Sequence, residues 1–155
     1  MTTRHSARRS VDAPLATVWD VLTDVERMPT WTPSMTSVRL LDGDRLAEGV
    51  TVEIRQPRLP TMVWTVDEVV PRERFRWSTT RGGVVTRADH RLAPRADGRS
   101  TDVWFEIHQT GRLARLVGAL TMRRTARYVD LEIDGLREAS EAAADLRHES
   151  SGPDA

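Results

Sequence analysis

The sequence predicts a single α+β domain in which a curved antiparallel sheet of six or seven strands wraps a long C-terminal helix. Three observations lead there. Between residues 37 and 110, short segments of alternating apolar and polar residues follow one another, separated by turns rich in Pro, Gly and Asp. That is the pattern of an antiparallel meander with one face buried and one face wet. From Arg112 to about Arg147 proline is absent and the apolar spacing changes from two to a helical period. The apolar face of the sheet must be covered, and this helix is the long element available to do it.

The elements can be read in order. Residues 4–11 (RHSARRSV) suit an edge strand. Asp12 is placed to cap a helix whose first turn holds Pro14. Leu15, Val18, Trp19 and Leu22 then fall on one helical face. Pro29 and Pro33 limit residues 26–31 to a short second helix. Strands are expected at 37–41, 51–56, 62–70, 74–79, 84–92 and 101–110. Gly82-Gly83 signals a tight hairpin between two of them. Leu113, Leu116, Val117 and Leu120 open the long helix, and Val129, Ile133 and Leu136 resume its apolar stripe beyond the polar stretch 121–127. Residues 1–149 are expected to form the one domain and residues 150–155 a disordered tail.

Composition narrows the function classes. The chain has 155 residues, with 23 basic and 23 acidic side chains. A balanced charge argues against a general nucleic-acid binder. Every basic residue other than histidine is arginine, and lysine and asparagine are both missing, which points to a GC-rich, bacterial coding sequence. No apolar run is long enough to span a bilayer, and no apolar segment follows the basic start MTTRHSARRS as in a secretory signal. A cytoplasmic protein without integral membrane contact is expected. Cysteine is absent, which removes disulfides and thiolate chemistry. The four histidines, His5, His90, His108 and His148, show no metal-ligand spacing, so neither a metal nor another cofactor is expected.

A helix is about 10 Å wide, too narrow to cover a broad sheet even when the sheet curves around it. The space left over is either filled by bulky side chains or open as an apolar cavity. Strand alternation directs Ile54, Trp64, Trp77, Thr79, Thr86, His90 and Phe105 to this space. Trp31 and Met35 approach from the second helix and the short segment after it, and Leu113, Leu116, Val117 and Leu120 from the long helix. Arg124, four residues beyond Leu120, is placed to reach inward to an acidic partner or a ligand oxygen, although Arg123, Arg124 and Arg127 together also suit a solvated face. His90 is the titratable member of the inner set. It is a satisfied core histidine, a group that orients a ligand carbonyl or hydroxyl, or a proton-transfer residue. Trp104 should face outward. Loops 57–61 and 80–84 and the helix start at 110–118 should cluster at one end of the sheet.

The motifs V-D-A-P-x-x-x-V-W-D-V-L-T-D (11–24), E-R-M-P-T-W-T-P (26–33), W-x-V-x-E-V-x-P (64–71), R-F-x-W (74–77), D-H-R-L (89–92) and R-Y-V-D-L-E-x-x-G-L (127–136) resemble the SRPBCC, or START-like, superfamily, and within it the polyketide cyclase/dehydrase-like proteins. The resemblance covers nearly the whole chain and implies the helix-grip fold, with two short helices after the first strand. It also implies that the clustered loops form the mouth of a cavity. Such a chain is expected to bind a small hydrophobic molecule (polyketide-, lipid- or aromatic-like) as a monomer or homodimer. Two alternatives stand beside this. One is an enzyme, a polyketide cyclase/aromatase or dehydratase-like lyase that uses His90. The other is a co-chaperone-like protein-interaction module.

Overall fold

The computed structural model describes residues 3–112 and 114–150, without the side chains of residues 115–120. The chain runs through strand β1 (Thr3–Val11), helix α1 (Leu15–Thr23), a 3-10 turn (Val25–Arg27) and helix α2 (Met28–Trp31). Strands β2 (Ser37–Leu40), β3 (Thr51–Arg55), β4 (Met62–Val70), β5 (Arg74–Arg81), β6 (Val84–Pro94) and β7 (Thr101–Thr110) come next. Helix α3 (Ala114–Ser150) closes the chain.

All seven strands join one antiparallel sheet in the order β1-β7-β6-β5-β4-β3-β2. This is the expected meander, with the first strand returning to pair the last. Each hairpin keeps neighbours in sequence adjacent in space, and the Gly82-Gly83 link, with φ of 56° and 74°, supplies the two left-handed residues that a two-residue turn demands. A bulge between Val66 and Glu68 shifts the β4–β5 register, as expected where a sheet must bend.

Alternation sorts the side chains. On β5 Phe75, Trp77 and Thr79 are buried, and on β7 Thr101, Val103, Phe105, Ile107 and Gln109 are buried. Their neighbours carry arginines and carboxylates on the outer face. Val129, Ile133 and Leu136 of α3 meet the inner face. At 37 residues α3 is about 55 Å long. It runs unbroken through 121–127, where Arg123, Arg124 and Arg127 are exposed. It also takes in Ser150, the first residue of the expected tail, and the remainder of that tail lies outside the described residues. Two side chains of β1 strap it to the sheet edge: Arg9 Nε donates to Asp134 at 2.7 Å, and His5 Nε2 lies 3.2 Å from Asp130.

The cap of α1 differs from expectation. Pro14 itself holds the N-cap position in an extended conformation, with no side-chain cap. Asp12 instead donates its backbone N–H to Glu141 Oε1 of α3, so it ties the loop to the central helix. Among the described residues no helix is long and apolar enough to cross a membrane.

Candidate functional site

Between the inner sheet face and α3 lies a cavity of about 50 Å³ bounded by described residues. β3 contributes Ile54, β4 Trp64, β5 Trp77, β6 Ala88 and His90, and β7 Phe105 and Ile107. Met35 closes one side, Gln56 and Leu59 of the β3–β4 loop another, and Thr125, Tyr128, Val129 and Glu132 come from α3.

His90 is packed among rings. Phe75 stacks on it at 4.1 Å between centroids, and Trp77 and Phe105 meet it edge-on at 5.5 and 4.7 Å. Trp64 lies 5.9 Å from Trp77. The His90 Nδ1 atom is buried and has no hydrogen-bond partner. Burial pushes the imidazole down to about 4, against the smaller opposing pull of the Phe75 backbone and the charge of Asp89. It is therefore neutral at physiological pH.

Glu132 is the second titratable group of this wall. The α3 stripe explains its position: it lies three residues after Val129 and four before Leu136, on the same buried face. Burial raises its carboxyl to about 7, and the hydrogen bond from Ser34 works in the other direction. Ser34 Oγ lies 3.2 Å from Glu132 Oε1 and 2.9 Å from Thr32 Oγ1, so a buried hydroxyl pair after α2 supports the carboxyl. Sequence reading missed Glu132 because an isolated glutamate in a helix is ordinarily a solvated residue. The signal was its phase in the 3.6 period.

The remaining expected site residues divide. Met35, Ile54, Trp64, Trp77, His90 and Phe105 meet around the cavity. Thr79 and Thr86 share the inner face but lie outside its wall, paired with each other across β5 and β6. Thr79 donates its hydroxyl to the Val63 carbonyl at 2.7 Å. Trp31 does not cover the cavity. It lines an open groove between α1, α2 and a later stretch of α3, with Gly135, Glu138 and Ala139. Nor does Arg124 reach inward. It is exposed and donates to the Arg58 carbonyl at 3.0 Å, because its place on α3 faces the β3–β4 loop. Leu113 lies outside the described residues, as do the side chains of Leu116, Val117 and Leu120.

Arg124 is half of a latch. One turn along α3, the Tyr128 hydroxyl donates to the Pro57 carbonyl. Between these anchors Arg58 adopts a left-handed φ of 58°, and Leu59 faces the cavity. Strand register puts this loop at the same end of the sheet as the Gly82-Gly83 hairpin, and Gly83 in turn packs against Gly111 ahead of α3.

The outer face offers a different chemistry. Asp89, Glu106 and His108 bring metal-ligand atoms within 4.8 Å of one another. Arg76 already pairs with Asp89, and Arg4 and His108 with Glu106, so the cluster is an ion-pair network. Trp104 does face outward, half-buried, with the Arg8 guanidinium 5.0 Å from its ring centroid.

Comparison with known proteins sets this geometry in context. A family model described as polyketide cyclase / dehydrase and lipid transport matches residues 2–141. A search of curated proteins finds no significant match. Among solved structures, TTHA0849 from Thermus thermophilus superposes with a TM-score of 0.74 at 15% identity, covering 92% of this chain and 99% of its own. The Zhui aromatase/cyclase from Streptomyces sp. R1128 gives 0.70 at 18% identity, covering 98% and 99%. Ara h 8.0201 gives 0.63 at 11% identity, covering 94% and 99%. At these identities the likeness is one of fold: the helix-grip arrangement of sheet and terminal helix.

Proposed function

The chain belongs to the polyketide cyclase/dehydrase and lipid transport family, and from that premise we propose that it binds a small hydrophobic molecule, polyketide-, lipid- or aromatic-like, between the sheet and α3. One observation carries the reading. A buried imidazole with an unpartnered nitrogen and a buried carboxyl supported by a hydroxyl pair share one aromatic-lined cavity. An unsatisfied buried polar group costs roughly 1–3 kcal/mol. A ligand with a polar head and an apolar body removes that cost while it packs against Trp64, Trp77 and Phe105.

The cavity has to enlarge for this. Its volume, about 50 Å³, accommodates a polar head group. A drug-sized ligand needs roughly 300–1,000 Å³. Leu59 and the latched β3–β4 loop are the cheapest part of the wall to displace, since Arg124 and Tyr128 hold that loop through two hydrogen bonds to exposed carbonyls. The test is calorimetry and native mass spectrometry with a panel of neutral polycyclic phenols and ketones. The unaltered protein should bind one to one. Ala88→Phe, which fills the cavity, should weaken binding at least about tenfold while the fold persists. A panel without a single binder overturns the reading.

A second reading, an enzyme, is favoured by the ionisation of the same pair. A carboxyl held at about 7 is matched to proton transfer at neutral pH. Glu132 would take the α-proton of a β-hydroxy ketone while neutral His90 donates an N–H to the carbonyl oxygen. Collapse of the enolate forms the C=C bond and expels the β-hydroxyl, to which Glu132 returns its proton as water leaves. Dehydration of an aromatic β-hydroxy ketone should disappear in His90→Gln and Glu132→Gln with binding retained. Turnover unaffected by both changes would exclude it.

A further inference from the structure

Among the described residues, the cavity wall carries aromatic rings and neutral polar groups but no arginine. Of the three acidic residues along its wall, Asp89 and Glu106 carry their carboxylates on the outer face, where Arg76 and Arg4 engage them. The described arginines of α3 nearest to it, Arg123, Arg124 and Arg127, are exposed, and Arg124 is turned to the Arg58 carbonyl. Among the described residues, Glu132 is left as the inward carboxyl without a cation beside it. Ser34 supplies its hydrogen bond, and Trp64, Trp77 and Phe105 present rings to the same space.

These charges decide which head group is tolerated. A carboxylate entering the cavity finds no countercharge among the described residues and meets a second carboxyl, and two such groups in one low-dielectric site cannot both ionise. An ammonium group finds the reverse: a carboxylate for a charge-assisted hydrogen bond and ring faces for cation–π contact. We propose that Glu132 sets the specificity of this cavity and that the class it selects is amine-bearing aromatic compounds over the corresponding carboxylic acids. The proposal rests on the ligand-binding reading above and names the ligand class of that site. Burial is what keeps the Glu132 carboxyl from ionising at its ordinary pH, so a buried cation is the partner that restores its charge.

The test compares 2-naphthylmethylamine, 2-naphthylmethanol and 2-naphthoate by isothermal calorimetry at pH 8 on the unaltered protein and on Glu132→Gln. The amine should bind the unaltered protein at least about tenfold more tightly than the acid, with the alcohol between them. Glu132→Gln should bring amine and acid within about threefold of each other and leave the alcohol within about threefold of its former affinity. Acid binding equal to amine binding in the unaltered protein overturns the proposal, and so does a ratio that Glu132→Gln leaves unchanged. The unaltered protein alone decides the first point, should the variant fail to fold. Alcohol binding without discrimination between amine and acid leaves the ligand site standing and removes its selectivity. If none of the three binds, this proposal falls, and the panel of phenols and ketones decides the ligand-binding reading separately.

Discussion

Glu132 of α3 accepts a hydrogen bond from the Ser34 hydroxyl at 3.2 Å, across 98 residues of sequence. This contact joins the segment after α2 to the central helix beneath the sheet, and it places an ionisable group where the helix is otherwise apolar. The pH dependence of stability should record it. A carboxyl raised from 4.5 to about 7 stays protonated in the folded chain while the unfolded chain ionises. Its stabilising contribution is complete below pH 4.5 and is lost as pH rises through 7, by about 3 kcal/mol. Glu132→Gln should therefore gain on the unaltered protein between pH 4.5 and 7 and hold a constant lead above it. Urea unfolding at pH 4.5, 6 and 8 measures this, and an unchanging difference would contradict it.

His90 should show the opposite slope. Its imidazole falls from 6.5 to about 4, so its contribution is complete above pH 6.5 and is lost as pH falls through 4. His90→Leu should match the unaltered protein within about 1 kcal/mol at pH 7, since it also removes an unpartnered polar atom. At pH 4 it should be the more stable of the two by about 3 kcal/mol. Denaturant titration at both values provides the check. Because the two groups pull in opposite directions between pH 4.5 and 6.5, only difference curves against each variant separate them.

Gly135 should resist even alanine. A Cβ at this position would lie 2.2 Å from the Trp31 carbonyl oxygen, and a backbone atom cannot swing aside. Helix propensity favours alanine by about 1 kcal/mol. Overpacking costs about 1–3 kcal/mol, and so close an approach to backbone falls at the top of that range. Gly135→Ala should lose about 2 kcal/mol net in chemical denaturation followed by circular dichroism. A gain in stability would mean that α2 shifts freely on α3.

The latch should govern access to the cavity. Tyr128→Phe combined with Arg124→Ala removes both hydrogen bonds from α3 to the β3–β4 loop. Each is worth roughly 0.5–1.5 kcal/mol, so amide exchange at Leu59 should accelerate by about tenfold or more. Exchange at β6 and β7 should not change. Equal acceleration at all three would show that the substitutions loosen the whole domain and not the loop.

The part of the fold legible in the sequence rests on periodicity. A period of two along β5, β6 and β7 separates Phe75, Trp77, His90 and Phe105 from the arginines and carboxylates between them, and the structure keeps that division. The change of period after Gly111 marks the helix, and the glycine pair marks the hairpin. These are local properties, since side-chain direction in a strand or helix depends on little beyond position along it. For the same reason six of the expected lining residues do meet at one cavity.

Tertiary structure decided what depends on facing elements. Arg124 and Glu132 are both polar residues of one helix, eight positions apart. One turns to the Arg58 carbonyl, and the other is sealed against Ser34. Asp12, well placed for a cap, serves Glu141 across the fold. Gly135, read alone, only weakens a helix, yet it is the point where α2 can touch α3. The sequence by itself determined the sheet, its inner face and the helix it grips, because hydrophobic periodicity is written locally. Which polar groups enter the cavity, and which close it, was decided by packing between segments as much as 98 residues apart, where burial and not residue type sets the charge.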